Sequence, residues 1–249
     1  MENKNIFTTL AIIVLIFVGG NLHAQKCTAP EFTFGASLNA IFATNDGYGR
    51  VQEVNSYGMR GGRGFEIYGK MGLGDKKRHR ITLDLGYSKM INYDENTNFA
   101  AMIFSSNPDD QLHTNFNLLS AALGYEYLFG APCRNKQYVG ASFSFNNIST
   151  SSDLLLVTGK LKPAFRVGMQ LKAGLEFVLG KGGNYGINVG FKYNLVNLFN
   201  QSNQEALPGT TEFDLNDGQN AGGRGFIRYI GVATLSLGFN LYTGVKERR

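Results

Sequence analysis

Residues 164–195 read AFRVGMQLKAGLEFVLGKGGNYGINVGFKYNL, and this stretch constrains the chain most. Phe165, Val167, Met169, Leu171, Ala173, Leu175, Phe177 and Leu179 alternate with Arg166, Gly168, Gln170, Lys172, Gly174 and Glu176. After Lys181-Gly182-Gly183-Asn184, Tyr185, Ile187, Val189, Phe191, Tyr193 and Leu195 alternate with Gly186, Asn188, Gly190, Lys192 and Asn194. Successive side chains leave a strand on opposite faces, so a period of two predicts strands, and the glycine-rich break predicts a hairpin. One face carries no charge. The other is small, polar and glycine-rich. A membrane barrel needs this asymmetry, with lipid outside and a crowded polar lumen inside.

The same rhythm recurs along the chain. It predicts strands at about 31–43, 62–73, 80–93, 114–129, 137–148 and 226–242, which with the two strands of the hairpin make about eight. Long polar connections and short turns take turns between them. The expected fold is therefore all-β: an eight-stranded antiparallel up-and-down transmembrane β-barrel with both termini on the short-turn side. Backbone groups cannot stay unpaired in lipid, so the first strand should close against the last. Phe32, Phe34, Tyr125, Tyr127, Phe129, Phe177, Tyr185, Phe239 and Tyr242 gather at the short-turn ends, as an interfacial aromatic girdle would. Lys89 breaks the apolar set at the far end of its strand, from where its stem can reach the interface.

Targeting agrees with this reading. Lys4, the apolar run Ile6–Val18 and the small residue Ala24 have the order of a secretory signal peptide, with cleavage expected after Ala24. The run is short for an uncleaved anchor. The expected organisation is 1–24 signal peptide, 25–242 barrel and 243–249 short basic periplasmic tail, in the bacterial outer membrane. The rival fold is a secreted soluble barrel of the lipocalin sort, or a sandwich. Against it stand the scarcity of Lys and Glu on the polar strand faces, the strand length and the alternation of long and short connections.

With this parity nine charged side chains enter the lumen: Glu66, Lys70, Asp84, Glu126, Arg166, Lys172, Glu176, Lys192 and Arg228. An eight-stranded barrel has room only for side chains, and buried charges are costly unless paired. The expectation is a plug of ion pairs. The alternative is a narrow ion pathway lined by the same residues.

Two further features stand apart. Gly61-Gly62-Arg63-Gly64-Phe65 recurs as Gly222-Gly223-Arg224-Gly225-Phe226. The plain reading is a loop-to-strand entry in which glycine supplies unusual backbone angles. The sharper one places Arg63 and Arg224 at the outer rim, facing lipopolysaccharide phosphates or another anion. Cys27 and Cys133 are candidates for a disulfide in an oxidising compartment, with two free thiols as the open alternative. Lys26 before Cys27 argues against lipidation.

No catalytic, metal or cofactor motif emerges. His79 falls in a short turn and His113 at a loop end, at opposite faces of the expected membrane, so they cannot share a metal or a dyad. There is no Gly-x-Ser-x-Gly elbow and no paired cysteine spacing. The expected role is non-enzymatic, with loops displayed for binding or adhesion and support of the envelope. A small porin-like channel or a transport accessory is the runner-up, and a rim enzyme comes third. Expected partners are outer-membrane lipid and lipopolysaccharide, with an extracellular ligand or envelope protein at the loops. Nucleic acid is not expected, and a monomer is.

Signal peptide, eight alternating strands and long loops together resemble the small outer-membrane β-barrel families, the OmpA-barrel, OmpX-like and PorT-like group. The resemblance lies in pattern rather than in a motif. It implies the barrel. A PorT-like relationship would also imply assistance to secretion, but no residue here matches that role.

Overall fold

The computed structural model describes residues 30–45, 59–91, 114–129, 135–152, 160–161, 163–179, 183–199, 212–213 and 229–244. The strands, numbered in chain order, are β1 (Phe32–Asn45), β2 (Gly61–Leu73), β3 (His79–Ile91), β4 (Thr114–Phe129), β5 (Asn135–Ser152), β6 (Lys160–Leu161), β7 (Ala164–Leu179), β8 (Tyr185–Phe199), β9 (Glu212–Phe213) and β10 (Ile230–Thr243). Eight of them close in the order β1-β10-β8-β7-β5-β4-β3-β2. All eight pairings are antiparallel. β6 and β9 form a separate two-residue parallel pair, which ties the connection after β5 to the one after β8.

Closure follows from the edge problem: β1 and β10 pair from Phe32 with Thr243 to Asn45 with Ile230, so neither edge is left open. Glycine supplies left-handed backbone beside the short turns where they are described. Gly74 and Gly183 both adopt positive φ (70° and 65°), and Lys77 N–H donates to the Gly74 carbonyl at 3.2 Å. The register slips between Val167 and Met169, where β7 faces β8. At that irregularity the successive residues Val196 and Asn197 are both buried.

The alternation separates two chemistries. Outward positions are apolar and exposed along most of the strands: Leu38 is 75 % exposed, Leu237 63 % and Leu171 55 %. The outward run from Phe165 to Leu179 covers about 45 Å along the strand at about 3.3 Å per residue, or about 33 Å of height at a tilt of about 45°. A membrane barrel carries an apolar band about 25 Å tall, so these strands are long enough to cross. The apolar exterior and enclosed polar interior are those of a membrane-spanning barrel. A soluble barrel would have them reversed.

Candidate functional site

The lumen is the site that the strands build, and it has three layers. The layer nearest the short turns is ionic. Glu176 on β7 receives Lys70 Nζ (3.0 Å), Arg80 Nη2 (2.8 Å) and Arg80 Nη1 (3.1 Å). Glu126 on β4 receives Arg80 Nη2 (2.5 Å), Lys70 Nζ (3.2 Å) and Lys172 Nζ (3.2 Å). Lys172 also donates to Asp84 Oδ2 and Thr82 Oγ1, each at 2.7 Å. Lys136 lies farther off, 4.0 Å from Glu176 Oε2, with its ammonium 3.7 Å from the Tyr242 ring centroid. Among the described residues, the carboxylates that Lys70, Arg80, Lys136 and Lys172 meet are Asp84, Glu126 and Glu176. The excess positive charge rests on aromatic faces, since Lys70 also lies 4.3 Å from the Tyr138 centroid.

Three tyrosines brace this layer. Tyr138 Oη–H donates to Asn188 Oδ1 (3.2 Å), and Asn188 Nδ2 donates to Tyr68 Oη (3.3 Å). Tyr68 Oη–H donates to Asn240 Oδ1 (2.6 Å), and Asn240 Nδ2 donates to Tyr242 Oη (3.0 Å). Tyr242 Oη–H ends the chain on Glu176 Oε2 at 3.4 Å. Every donor in this series points the same way, toward the carboxylate. The inward glycines make room for it: a Cβ on Gly35 would lie 2.4 Å from the Tyr68 ring, and one on Gly174 would lie 2.5 Å from Tyr138 Oη. Gly35, Gly174 and Gly186 thus serve as sockets for Tyr68, Tyr138 and Tyr242.

The middle layer is polar. Lys192 Nζ pairs with Glu66 Oε2 beside a small cavity lined by Asn39, Ser120, Gln170 and Thr234. Ser144 Oγ donates to Asn194 Oδ1 (3.0 Å), while Asn146 Nδ2 donates to the Val196 carbonyl (2.7 Å). The layer at the long-connection end is apolar. Ile41, Met59, Met90, Phe116, Leu118, Ile148, Val196, Ile230 and Val232 pack together, fully buried, across the bore.

The residues expected to line the lumen are sorted by this geometry. Lys70, Asp84, Glu126, Lys172 and Glu176 come together in one cluster, and Glu66 with Lys192 forms a second pair. Arg166 also faces inward, but at the apolar end, where its Nη1 donates to the Phe165 carbonyl at 2.9 Å. Arg228, Arg224, Cys27, Cys133, His113, the signal segment 1–24 and the tail beyond Gly244 lie outside the described residues.

Arg80 and Lys136 belong to the ionic cluster, although Arg80 is not among the nine charges expected in the lumen and the strand expected at 137–148 places Lys136 in the turn before it. Extending the strand parity to those positions would have found both. Tyr242 is not part of the outer girdle: it is 3 % exposed and points inward. Gly61, Gly62 and Gly64 do not adopt positive φ. Instead, a Cβ on Gly62 would lie 1.9 Å from the Lys89 carbonyl oxygen and one on Gly64 2.4 Å from that of Tyr87, so glycine lets β2 lie close against β3.

His79 is exposed at the start of β3. Its Nδ1 shares a hydrogen bond with the Tyr125 hydroxyl, and its ring meets that of Tyr127 edge-on at 5.2 Å. Among the described residues no group of three His, Cys, Asp or Glu is placed to hold a metal.

No family model matches the chain, and no curated protein does. Among solved structures it is similar to Neisserial surface protein A, at 16 % identity and TM-score 0.47 over 88 % of this chain and 99 % of that one. It is also similar to the attachment invasion locus protein Ail of Yersinia pestis, at 11 % identity and TM-score 0.45 over 86 % and 100 %. The outer membrane protein OprG from Pseudomonas aeruginosa aligns at 11 % identity and TM-score 0.44 over 88 % and 98 %. The barrel assignment rests on this chain's own strand order and register.

Proposed function

We propose that this chain is an exported, non-enzymatic outer-membrane barrel whose lumen is a sealed strut and whose long-connection end presents a binding surface to the outside. The observation that carries this reading is the double closure of the bore, ionic at one end and apolar at the other. Ions would have to break a desolvated charge cluster and then wet an apolar constriction. Orientation follows from the connections: a barrel inserted from the periplasm keeps its short turns there and sends its longer loops outward. The parallel contact of Lys160–Leu161 with Glu212–Phe213 supports an organised outer surface, because it joins two of those connections.

The reading that the chain is a small channel or transport accessory competes for the same lumen. One preparation separates the two. The protein should fractionate with the outer membrane, run with heat-modifiable mobility on gels, and give no steady conductance steps in planar bilayers. Sizeable, long-lived steps would replace the strut with a channel. Recovery of folded monomer from detergent-free periplasmic extract would remove the membrane assignment altogether.

A further inference from the structure

The outward face is apolar down most of its height, but one row at the long-connection end departs from this. Arg63 on β2 is the register partner of Lys89 on β3, and Lys89 is the register partner of Asn117 on β4. All three share the outward parity of Phe65, Leu85 and Leu119. Two cations directly opposite one another repel, and a lipid-facing cation costs free energy that falls toward the interface. No described carboxylate pairs with either cation. The third member adds to the pattern: Tyr87 Oη–H donates to Asn117 Oδ1 at 2.9 Å, which occupies the amide carbonyl and leaves its two N–H donors. Directly below, the rings of Phe65 and Tyr87 lie 5.9 Å apart. The row thus offers guanidinium, ammonium and amide donors above an aromatic and aliphatic wall.

We propose that Arg63, Lys89 and Asn117 bind the phosphate of an outer-leaflet lipid whose acyl chains lie against Phe65, Tyr87 and Leu119. A phosphate set between Arg63 and Lys89 converts their repulsion into two charge-assisted contacts, and the guanidinium fork suits bidentate recognition. The apolar wall favours a lipid over a free anion, because only a lipid occupies both parts of the surface. This inference rests on the outer-membrane reading, which places the row in the outer leaflet.

The test uses the full mature chain folded in neutral detergent, with bound lipid counted by native mass spectrometry. The probes are lipid A carrying its phosphates, the same lipid dephosphorylated, and inorganic phosphate as competitor. The wild type should retain the phosphorylated lipid at least about tenfold better than the dephosphorylated one. The double variant R63Q/K89Q should bring that ratio near one, while Arg63→Lys, which keeps the charge but loses the fork, should leave it at an intermediate value. Heat-modifiable mobility reports folding of each variant, and the two-lipid comparison on the wild type stands without any variant. A wild-type ratio near one, a ratio unchanged in the double variant, or full displacement by equimolar inorganic phosphate would each overturn the proposal. A barrel that fractionates with membranes yet shows no preference removes the lipid site alone. A barrel found soluble removes the membrane reading beneath it.

Discussion

The two ends of the lumen are closed by opposite chemistry. At the short-turn end the bore is filled by four cations set against three carboxylates, with Glu176 and Glu126 each meeting three cations. At the long-connection end it is filled by Phe116, Ile41, Met90, Ile148 and their neighbours, fully buried and apolar. Lipid surrounds the ionic layer, so burying it gains little from excluding water and geometry must satisfy every charge. The apolar layer behaves like the core of a soluble protein, held by surface removed from water and by close packing. The ionic end therefore should be intolerant of a single lost partner. The apolar end should degrade in proportion to the volume removed.

Glu176 gives the largest expected effect. Glu176→Gln leaves Lys70, Arg80 and Lys136 facing only Glu126 and aromatic rings. Stranding buried charges costs about 3–5 kcal/mol. Urea titration of the folded barrel in bilayers, read by heat-modifiable mobility, should show that loss. Pairing it with Arg80→Met should recover part of it, since two uncharged partners no longer strand one another. A simple sum of the single effects would mean that the cluster does not act as a unit.

At the other end, Phe116→Ala should cost about 3–4 kcal/mol through lost transfer and a cavity. Conductance sharpens the contrast. Neither Glu176→Gln nor Phe116→Ala should open the bore, because each leaves the other closure standing. The two together should give measurable current in planar bilayers. Current from Glu176→Gln alone would show that the apolar layer is no seal.

The contrast also explains what the sequence could and could not reveal. The ionic layer was legible because lipid forbids charge on one parity, so Lys70, Asp84, Glu126, Lys172 and Glu176 stand out on the other. Arg80 and Lys136 carried the same signal but sit at strand ends, where a neighbouring turn disguises the rhythm. The apolar layer was not legible. Ile41, Phe116, Leu118 and Ile148 face inward, yet near the outer strand ends hydrophobic residues occupy both faces, and period two no longer tells inside from outside. The tyrosine series stayed hidden for a different reason. It links residues on β2, β5, β8 and β10 through the bore, and nothing local announces that Gly35 and Gly174 are empty in order to seat a ring.

Those sockets support a prediction of intermediate size. Gly174→Val would place a side chain where Tyr138 Oη now lies, since even a Cβ there comes within 2.5 Å. Overpacking of this kind costs about 1–3 kcal/mol, and Tyr138→Phe in the same chain should relieve part of it. An unrelieved double variant would mean that the clash is with backbone instead, the Val189 carbonyl oxygen being 2.6 Å from the same point.

Tyr242→Phe should have the smallest effect and tests how the tyrosine series relates to the charges. The hydroxyl is lost from the end of the series, where it accepts from Asn240 and donates to Glu176 over 3.4 Å. The ring beneath Lys136 remains. A hydrogen bond of this kind is worth about 1 kcal/mol, and Glu176 keeps its stronger contacts with Lys70 and Arg80. The same urea titration should therefore show a shift of about that size. Tyr242→Leu removes the ring as well, and Lys136 then loses the face that offsets its weak contact with Glu176, a further 0.5–2 kcal/mol or about that. If the leucine variant is no less stable than the phenylalanine one, the aromatic face does not hold Lys136. The excess cation of the ionic layer must then be balanced elsewhere.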